Sequence, residues 1–385
     1  MKNDYSYSTF LKKLNDPFEF YYLVPKDQVL SIAKGDEFSD KIYHYFLKKY
    51  TKLIYFDSNL KDLVDYKFSK DSIILSKLVI DYKKLDDEKE RLDKSNKIDQ
   101  LTKRLKDETP IFIYNEAGRT SKIKTYQQLD SVLPGAFPKT VFSVKDAKAK
   151  LKFPIVGKPN NGHSGIGIVK FDTPEDLEKF VNDPKNSEFK FDLYSECVDF
   201  DREFRFIFFE DILFSVSERI KKRDGTGRDI NDKKVDEEVE FSYVQQDYNI
   251  LPFLGTVKKL AKKANETLEC TTFSIDCFLT KTGEIKIIEF NAGTGLDAYE
   301  FICNYEAIMQ YYNKPIDFFD QREIQQLKNT YLWRYNQRFN KEIKNSMCPL
   351  PHKIYDIDLF SDLIDHPEKY EFTDKDYVLN LKNKK

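Results

Sequence analysis

Thr272–Glu300, TFSIDCFLTKTGEIKIIEFNAGTGLDAYE, joins two short strands through a Thr282-Gly283 turn and runs on through a Gly-rich corner into a helix. In the first strand Phe273, Ile275, Cys277 and Leu279 alternate as a buried face, which leaves Asp276 on the opposite side. Glu289 and Asn291 stand two residues apart near the end of the second strand and so point the same way. Three oxygen-bearing side chains on adjacent strands can therefore converge on one point. Hard divalent cations take oxygen ligands, and Mg²⁺ commonly uses one or two carboxylates, several waters and substrate phosphates. Taken alone, the same pattern also fits a hairpin with one polar face turned to solvent.

The rest of the chain bounds the choices. Its 385 residues are enough for two or three compact domains. Lys plus Arg number 63 against 65 for Asp plus Glu, so no global field recruits nucleic acid or an anionic membrane. Forty per cent apolar and 15% aromatic residues describe a globular protein in which Phe and Tyr supply much of the packing. The cysteines Cys197, Cys270, Cys277, Cys303 and Cys348 form no CxxC pair, and several fall inside apolar patterns, so buried free thiols are expected rather than disulfides or zinc. The first residues, MKNDYSYSTFLKKLND, have no apolar h-region, and no run approaches a membrane span; a soluble cytoplasmic protein is expected.

In chain order, Phe18–Pro25, Lys52–Phe56, Ser72–Ile80 and Pro110–Tyr114 read as strands, with a helix over Ser39–Tyr50 and a charge-laced solvated helix over Asp81–Lys106. This alternation predicts a small α/β domain with a partly parallel sheet. A helix over Ser121–Leu129, a strand over Pro138–Val144 and a second helix over Lys145–Leu151 follow. Phe153–Pro159 then reads as a strand, and Asn160–Val169 (NNGHSGIGIV) as a Gly-rich loop leading into a returning strand. Small residues there let backbone N–H groups approach a phosphate, with Lys158 as a point charge beside it. No GK[ST] follows, so this is not a Walker A loop, and a plain hairpin turn stays open as its reading. Thr173 and Pro174 are N-cap and N1 of a helix over Pro174–Val181. Strands over Phe191–Val198, Arg202–Phe209 and Ile212–Ile220 precede a charged loop, Lys221–Glu240, which has the composition of a solvated loop or of a closing lid. A helix over Gly255–Leu268 delivers the chain to the hairpin.

In order and spacing, these pieces from Lys122 to Glu300 resemble the ATP-grasp superfamily, and most of all its ribosomal-protein glutamate-ligase and glutathione-synthetase-like carboxylate–amine ligases. The family's closing pattern, GVD…VlEvN.sPGLeGiE, is similar to FSID ending at Asp276 and IIEFNAGTGLDAYE from Ile287 to Glu300. The fold that this resemblance implies is α/β: two lobes clasping ATP, preceded by a small α/β domain. The boundaries expected are 1–118 for that domain, 119–198 for the lobe with the Gly-rich loop, 199–312 for the lobe with the Mg²⁺ site, and 313–385 for a C-terminal helical extension.

The resemblance also assigns roles. Lys122 stands in the place of the first phosphate-binding lysine, with Lys124 as a near neighbour that also fits. Lys158 matches the second, and Gly162, Ser164, Gly165 and Gly167 belong to the loop over the β- and γ-phosphates. Glu196, Cys197 and Val198 match the hinge that meets adenine, and Glu203 an acidic ribose ligand. Arg205 and Arg219 fall where strand arginines approach phosphates or the acyl group, and Arg228 and Asn231 on the γ-phosphate side. Asp276, Glu289 and Asn291 match the ligands of one or two Mg²⁺ ions, with Mn²⁺ as an alternative. Ser121 replaces a common Asp, Thr294 replaces a common Pro, and the 221–240 loop is longer than usual, which bears on the first lysine and the loop residues.

The implied reaction joins a carboxylate to an amine, with an amino acid or peptide among the partners, through an acyl phosphate. Two other readings remain: a phosphotransferase on the same scaffold, and a nucleotide-binding module with little turnover. Balanced charge and the lack of a basic, aromatic-interleaved strand speak against nucleic acid. In the tail, Ile308–Tyr312, Asp317–Phe319 and Gln321–Lys344 read as helices, Pro349-Leu350-Pro351 as a break, Leu359–Leu363 as a last short helix, and LNLKNKK as a frayed end. Padding of the core is the favoured role of this tail, ahead of a homodimer contact or acceptor recognition.

Overall fold

The computed structural model describes residues 18–25, 37–56, 63, 66–69, 72–76, 100, 103, 111–114, 122–160, 167–187, 189–221, 239–243, 251–268, 270–291, 296–314, 316–339, 370–373 and 378–381. In chain order the elements are β1 (Glu19–Pro25), α1 (Glu37–Tyr50), β2 (Lys52–Phe56), β3 (Ser72–Ser76), β4 (Ile111–Tyr114) and α2 (Lys122–Val132). Next come β5 (Thr140–Val141), α3 (Val144–Lys150), β6 (Ile155–Lys158), β7 (Val169–Phe171), α4 (Pro174–Asn182), β8 (Leu193–Glu196), β9 (Phe200–Phe209) and β10 (Ile212–Lys221). Then follow β11 (Val239–Tyr243), α5 (Leu251–Leu268), β12 (Thr272–Thr280), β13 (Ile285–Asn291), α6 (Ala298–Tyr311), α7 (Phe318–Phe339), β14 (Tyr370–Thr373) and β15 (Val378–Leu381). They cluster into two compact units, one of residues 1–115, 296–302 and 315–385, the other of residues 116–295 and 303–314.

In the first unit the sheet runs β2-β1-β3-β4 and is parallel throughout, as the alternation of strands and helices requires. Phe20, Tyr22, Leu23, Ile73 and Ile74 are buried, so β1 and β3 carry the continuous apolar runs of strands covered on both faces. Phe301, at the start of α6, lies 4.8 Å from Tyr22 and 5.1 Å from Tyr43, ring centre to ring centre. The buried carboxylate of Glu323 on α7 accepts from Tyr45 on α1 and pairs with Lys49. Burial, aided by Asp317, pushes Asp320 up to about 6, and burial beside Glu323 and Asp320 raises the Tyr50 phenol.

Several tail readings change. Asp317 is the N-cap of α7, its Oδ1 accepting from the Asp320 N–H at 2.9 Å, so the two helices expected from Asp317 onward are one. Residues 308–311 close a helix that begins at Ala298 rather than standing alone. The last strand pair, β14 with β15, gives the helical extension a hairpin and orders residues 379–381, where fraying was expected. The expected helices over 81–106 and 359–363, and the Pro349–Pro351 break, lie almost wholly outside the described residues.

The second unit holds two antiparallel sheets, β5-β8-β6-β7 and β11-β10-β9-β12-β13. In the smaller sheet Ile155, Phe171 and Tyr194 pack with Ala147 and Leu177 from α3 and α4. Thr173 and Asp176 cap α4 reciprocally. A methyl group at Gly157 would meet the Phe191 ring at 3.0 Å and Phe171 at 3.2 Å, so a larger residue there would require the aromatic layer to shift. The larger sheet turns Phe204, Phe206 and Phe208 of β9 and Phe273, Ile275 and Cys277 of β12 to one face, against Val257, Ala261 and Ala264 of α5. α5 begins at Leu251, four residues earlier than expected, because Pro252 is tolerated in the first turn and Phe253 is buried. Val239 and Glu240, expected in the long loop, pair with Lys221 and Ile220 at the sheet edge. The strand expected over 138–144 narrows to Thr140–Val141. Cys277 and Cys303 are buried thiols outside any disulfide, whereas Cys197 and Cys270 are only half-buried. No helix among the described residues is long and apolar enough to cross a membrane.

Phe206 is fully buried between β9 and α5. Replacing it with Ala is expected to lower stability by about 3–5 kcal/mol, read as a reduced urea midpoint with unchanged slope.

Candidate functional site

The second face of the larger sheet carries a straight row of polar residues. Register places Ser217 of β10 opposite Arg205 of β9, Arg205 opposite Asp276 of β12, and Asp276 opposite Glu289 of β13. One step along, Ser274 stands opposite Asn291. Asp276, Glu289 and Asn291 therefore share one face, as the sequence pattern predicts. A β-bulge makes this possible. Asp276 pairs with Glu289 but Cys277 with Ile287, which leaves Ile288 as the extra residue. Strict alternation would put Ile287 and Glu289 on the same face; the bulge lets Ile287 be fully buried while Glu289 faces the polar row.

Charge in this row is compensated locally. The Arg205 guanidinium donates two hydrogen bonds to Asp276, from Nε to Oδ1 at 2.7 Å and from Nη2 to Oδ2 at 2.8 Å. Lys122, in the first turn of α2, places Nζ 3.1 Å from Glu289 Oε1. The N-terminus of α2 is fastened from β6: Ile123 N–H donates to Asn160 Oδ1 at 3.1 Å, and Asn160 N–H donates to Asp192 Oδ2 at 2.7 Å. Asp192 N–H in turn donates to the Lys158 carbonyl at 3.0 Å. The ends of both lysine-bearing elements are thus tied together through Asn160, a residue that the sequence shows only as the start of a loop.

Burial lowers the Lys158 ammonium to about 8, with repulsion from Lys122 in the same direction and attraction to Glu289, Cys197 and Glu203 against it. Lys158 therefore lies within the field of Lys122, Glu203 and Glu289, two of which pair directly with each other. Glu203 lies two residues before Arg205 on β9, on the same face of the strand.

At the expected hinge, Glu196 closes β8 and its Oε1 accepts from Lys152 N–H at 2.8 Å. Glu196 N–H donates to Lys139 O at 3.0 Å and Cys197 N–H to Pro154 O at 2.9 Å; Val198 is half-buried beside them. Burial raises the Cys197 thiol. Gly167 has φ +78°, a conformation that glycine adopts at little cost. Arg219 stands on β10 opposite Phe241. Gly162, Ser164, Gly165, Arg228 and Asn231 lie outside the described residues. Sequence reasoning missed Ser217 and Asn160, and also the two-bond pair of Arg202 with Glu218 at 2.7 Å, because each depends on a partner remote in the chain.

The donor set suits a hard cation: two carboxylates on directly opposed positions, an amide oxygen one step away, and lysines nearby for anionic oxygens.

Residues 136–306 match the family model described as D-ala D-ala ligase C-terminus. No curated protein matches the chain. Among solved structures, the chain is similar to the ATP-grasp ligase PsnB complexed with minimal precursor, at 11% identity and TM-score 0.53, over 77% of this chain and 99% of that one. PsnB complexed with a phosphomimetic variant of the minimal precursor, Mg and ADP gives 12% identity, TM-score 0.52 and the same coverage. PsnB complexed with precursor peptide PsnA2 and AMPPNP gives 11% and 0.50, over 77% and 98%. D-alanine–D-alanine ligase from Bacillus anthracis is 14% identical with TM-score 0.48, over 83% and 99%.

Between pH 8 and 10.5 the folded chain holds Lys158 largely neutral while the unfolded chain keeps it protonated. The unfolded state then binds more protons, so stability rises with pH across that window. The urea midpoint is expected to carry this rise in the wild type and to lack it in Lys158→Met.

Proposed function

We propose that this chain, an ATP-grasp protein by its fold, is an ATP-dependent carboxylate–amine ligase working through an acyl phosphate. The observation that carries the reading is the row Arg205–Asp276–Glu289 with Lys122 and Lys158 gathered at it. A carboxylate is a poor electrophile towards an amine. Phosphorylation corrects this: a carboxylate oxygen attacks the γ-phosphorus, the bond to the β–γ bridging oxygen breaks, and ADP leaves. The amine nitrogen then attacks the acyl carbon, loses a proton, and displaces phosphate as the amide forms.

Each named residue has a task in that sequence. Lys122 and Lys158 bind phosphate oxygens, and the Gly162–Gly167 loop, with Ser164 and Gly165, covers them through backbone N–H groups. Glu196, Cys197 and Val198 hold adenine and Glu203 the ribose. Asp276, Glu289 and Asn291 would hold one or two Mg²⁺ ions, which would supply charge neutralisation for the transferring phosphoryl group. Arg205 and Arg219 stabilise the charge that develops on the phosphoryl and acyl oxygens, with Arg228 and Asn231 on the γ-phosphate side. The acyl phosphate hydrolyses if water reaches it, so the reaction needs water kept from the site. An amino acid or peptide is the substrate class that the resemblance favours, and the similarity to PsnB bound to a precursor peptide supports a peptide.

The test is ADP and phosphate release from Mg·ATP with a panel of amino acids, peptides and small carboxylates. Turnover requiring both a carboxylate and an amine is expected, with Glu289→Gln lower by about 100-fold or more. ATP-dependent phosphorylation of a single acceptor with no amine requirement would instead identify a phosphotransferase.

A further inference from the structure

Both carboxylates of the candidate metal site already hold a cation that the chain itself supplies. Asp276 engages both of its oxygens with the Arg205 guanidinium, and Glu289 engages Oε1 with Lys122. The geometry demands such partners. Asp276 and Glu289 are directly opposed on neighbouring strands, where side chains stand about 5 Å apart and like charges repel. Their side chains are only 13% and 30% exposed, so water screens that repulsion incompletely.

We propose that Arg205 and Lys122 are stand-in counter-ions that close the nucleotide-free site to a free divalent cation, so that metal and nucleotide phosphates are taken up only together. This rests on the reading of Asp276, Glu289 and Asn291 as the metal ligands. In the cluster as it stands Arg205 and Lys122 pair directly with Asp276 and Glu289, while Lys158 and Glu203 add one charge of each sign nearby. A divalent cation arriving alone would have to part Asp276 from a two-bond arginine pair, leave that guanidinium half-buried without its carboxylate, and give up hydration water that Mg²⁺ releases reluctantly. Phosphate oxygens remove the obstacle. They present to Arg205 the same two-point geometry as a carboxylate and to Lys122 the same point-charge partner. Arg205 and Lys122 then pass from carboxylate to phosphate as the carboxylates are freed for the metal, and charge stays balanced throughout. By linkage the coupling is reciprocal: metal strengthens nucleotide binding by the same factor.

Mn²⁺, followed by electron paramagnetic resonance on the full chain, is the probe. In the absence of nucleotide, wild type is expected to bind Mn²⁺ weakly, and Arg205→Met and Lys122→Met about 10-fold more tightly. A non-hydrolysable ATP analogue should raise wild-type Mn²⁺ affinity by on the order of 10–100-fold, once metal already carried by the analogue is accounted for, and by less in both variants. Lys122 sits in the first turn of a helix, so its variant carries the test if Arg205→Met does not fold. Unchanged or weaker Mn²⁺ binding in the folded variants, or wild-type affinity that the analogue does not alter, would overturn the proposal. Glu289→Gln separates this from failure of the underlying reading: if it binds Mn²⁺ as wild type does with the analogue present, the metal ligands themselves are misassigned.

Discussion

Two carboxylates brought face to face, Asp276 on β12 and Glu289 on β13, set the terms for the rest of the site. Left alone on a half-buried sheet they would repel and lose hydration together, and an uncompensated buried charge is costly. Arg205 is delivered by the next strand at the opposing position, in two-point contact, and Lys122 arrives from the N-terminus of α2. Lys158 meets the same charges from β6 and is held near pKa 8 by its enclosure. Five elements, β9, β12, β13, α2 and β6, thus bring charged groups to one cluster. The proposed chemistry uses the same cluster, because phosphoryl transfer needs cations fixed where negative charge develops.

The sheet that presents these groups is stiff for a different reason. Phe204, Phe206 and Phe208 alternate with the polar residues of β9, and Phe208 stacks on Phe273, which stacks on Phe290, with centroids 5.4 and 4.9 Å apart. Arg205 is therefore held from behind by a buried ring on either side of it along the strand, Phe204 and Phe206. The bulge at Ile288 reconciles the two faces. It permits Ile287 to pack in the core and Glu289 to join the row, at the cost of one unpaired position. In the first unit the tail is tied in by a comparable device, the buried Glu323 of α7 bound by Tyr45 and Lys49 of α1.

Much of this was legible in the sequence. The hairpin with Asp276 opposite its apolar face, the capped helix after Thr173, and the alternating strands of the first unit all follow from periodicity and capping, which are local. Elements bounded by tertiary pairing were less legible. The start of β11 looks like loop because its residues become strand only beside β10, and β15 looks like a frayed charged end because its stability lies in pairing with β14. α5 starts earlier than its composition suggests because Phe253 finds a place in the core.

At the site, the sequence by itself determined which side chains are available and, through periods of two along β9 and β12, which of them turn away from the core. The tertiary structure alone decided their partners. Arg205 and Asp276 are 71 residues apart in the chain and become neighbours only through strand register. The same is true of Lys122 with Glu289 and of Asn160 with the start of α2. Periodicity reports the direction of a side chain, which the backbone fixes over a few residues. Pairing depends on register and on a bulge, and these are set by the packing of the whole sheet.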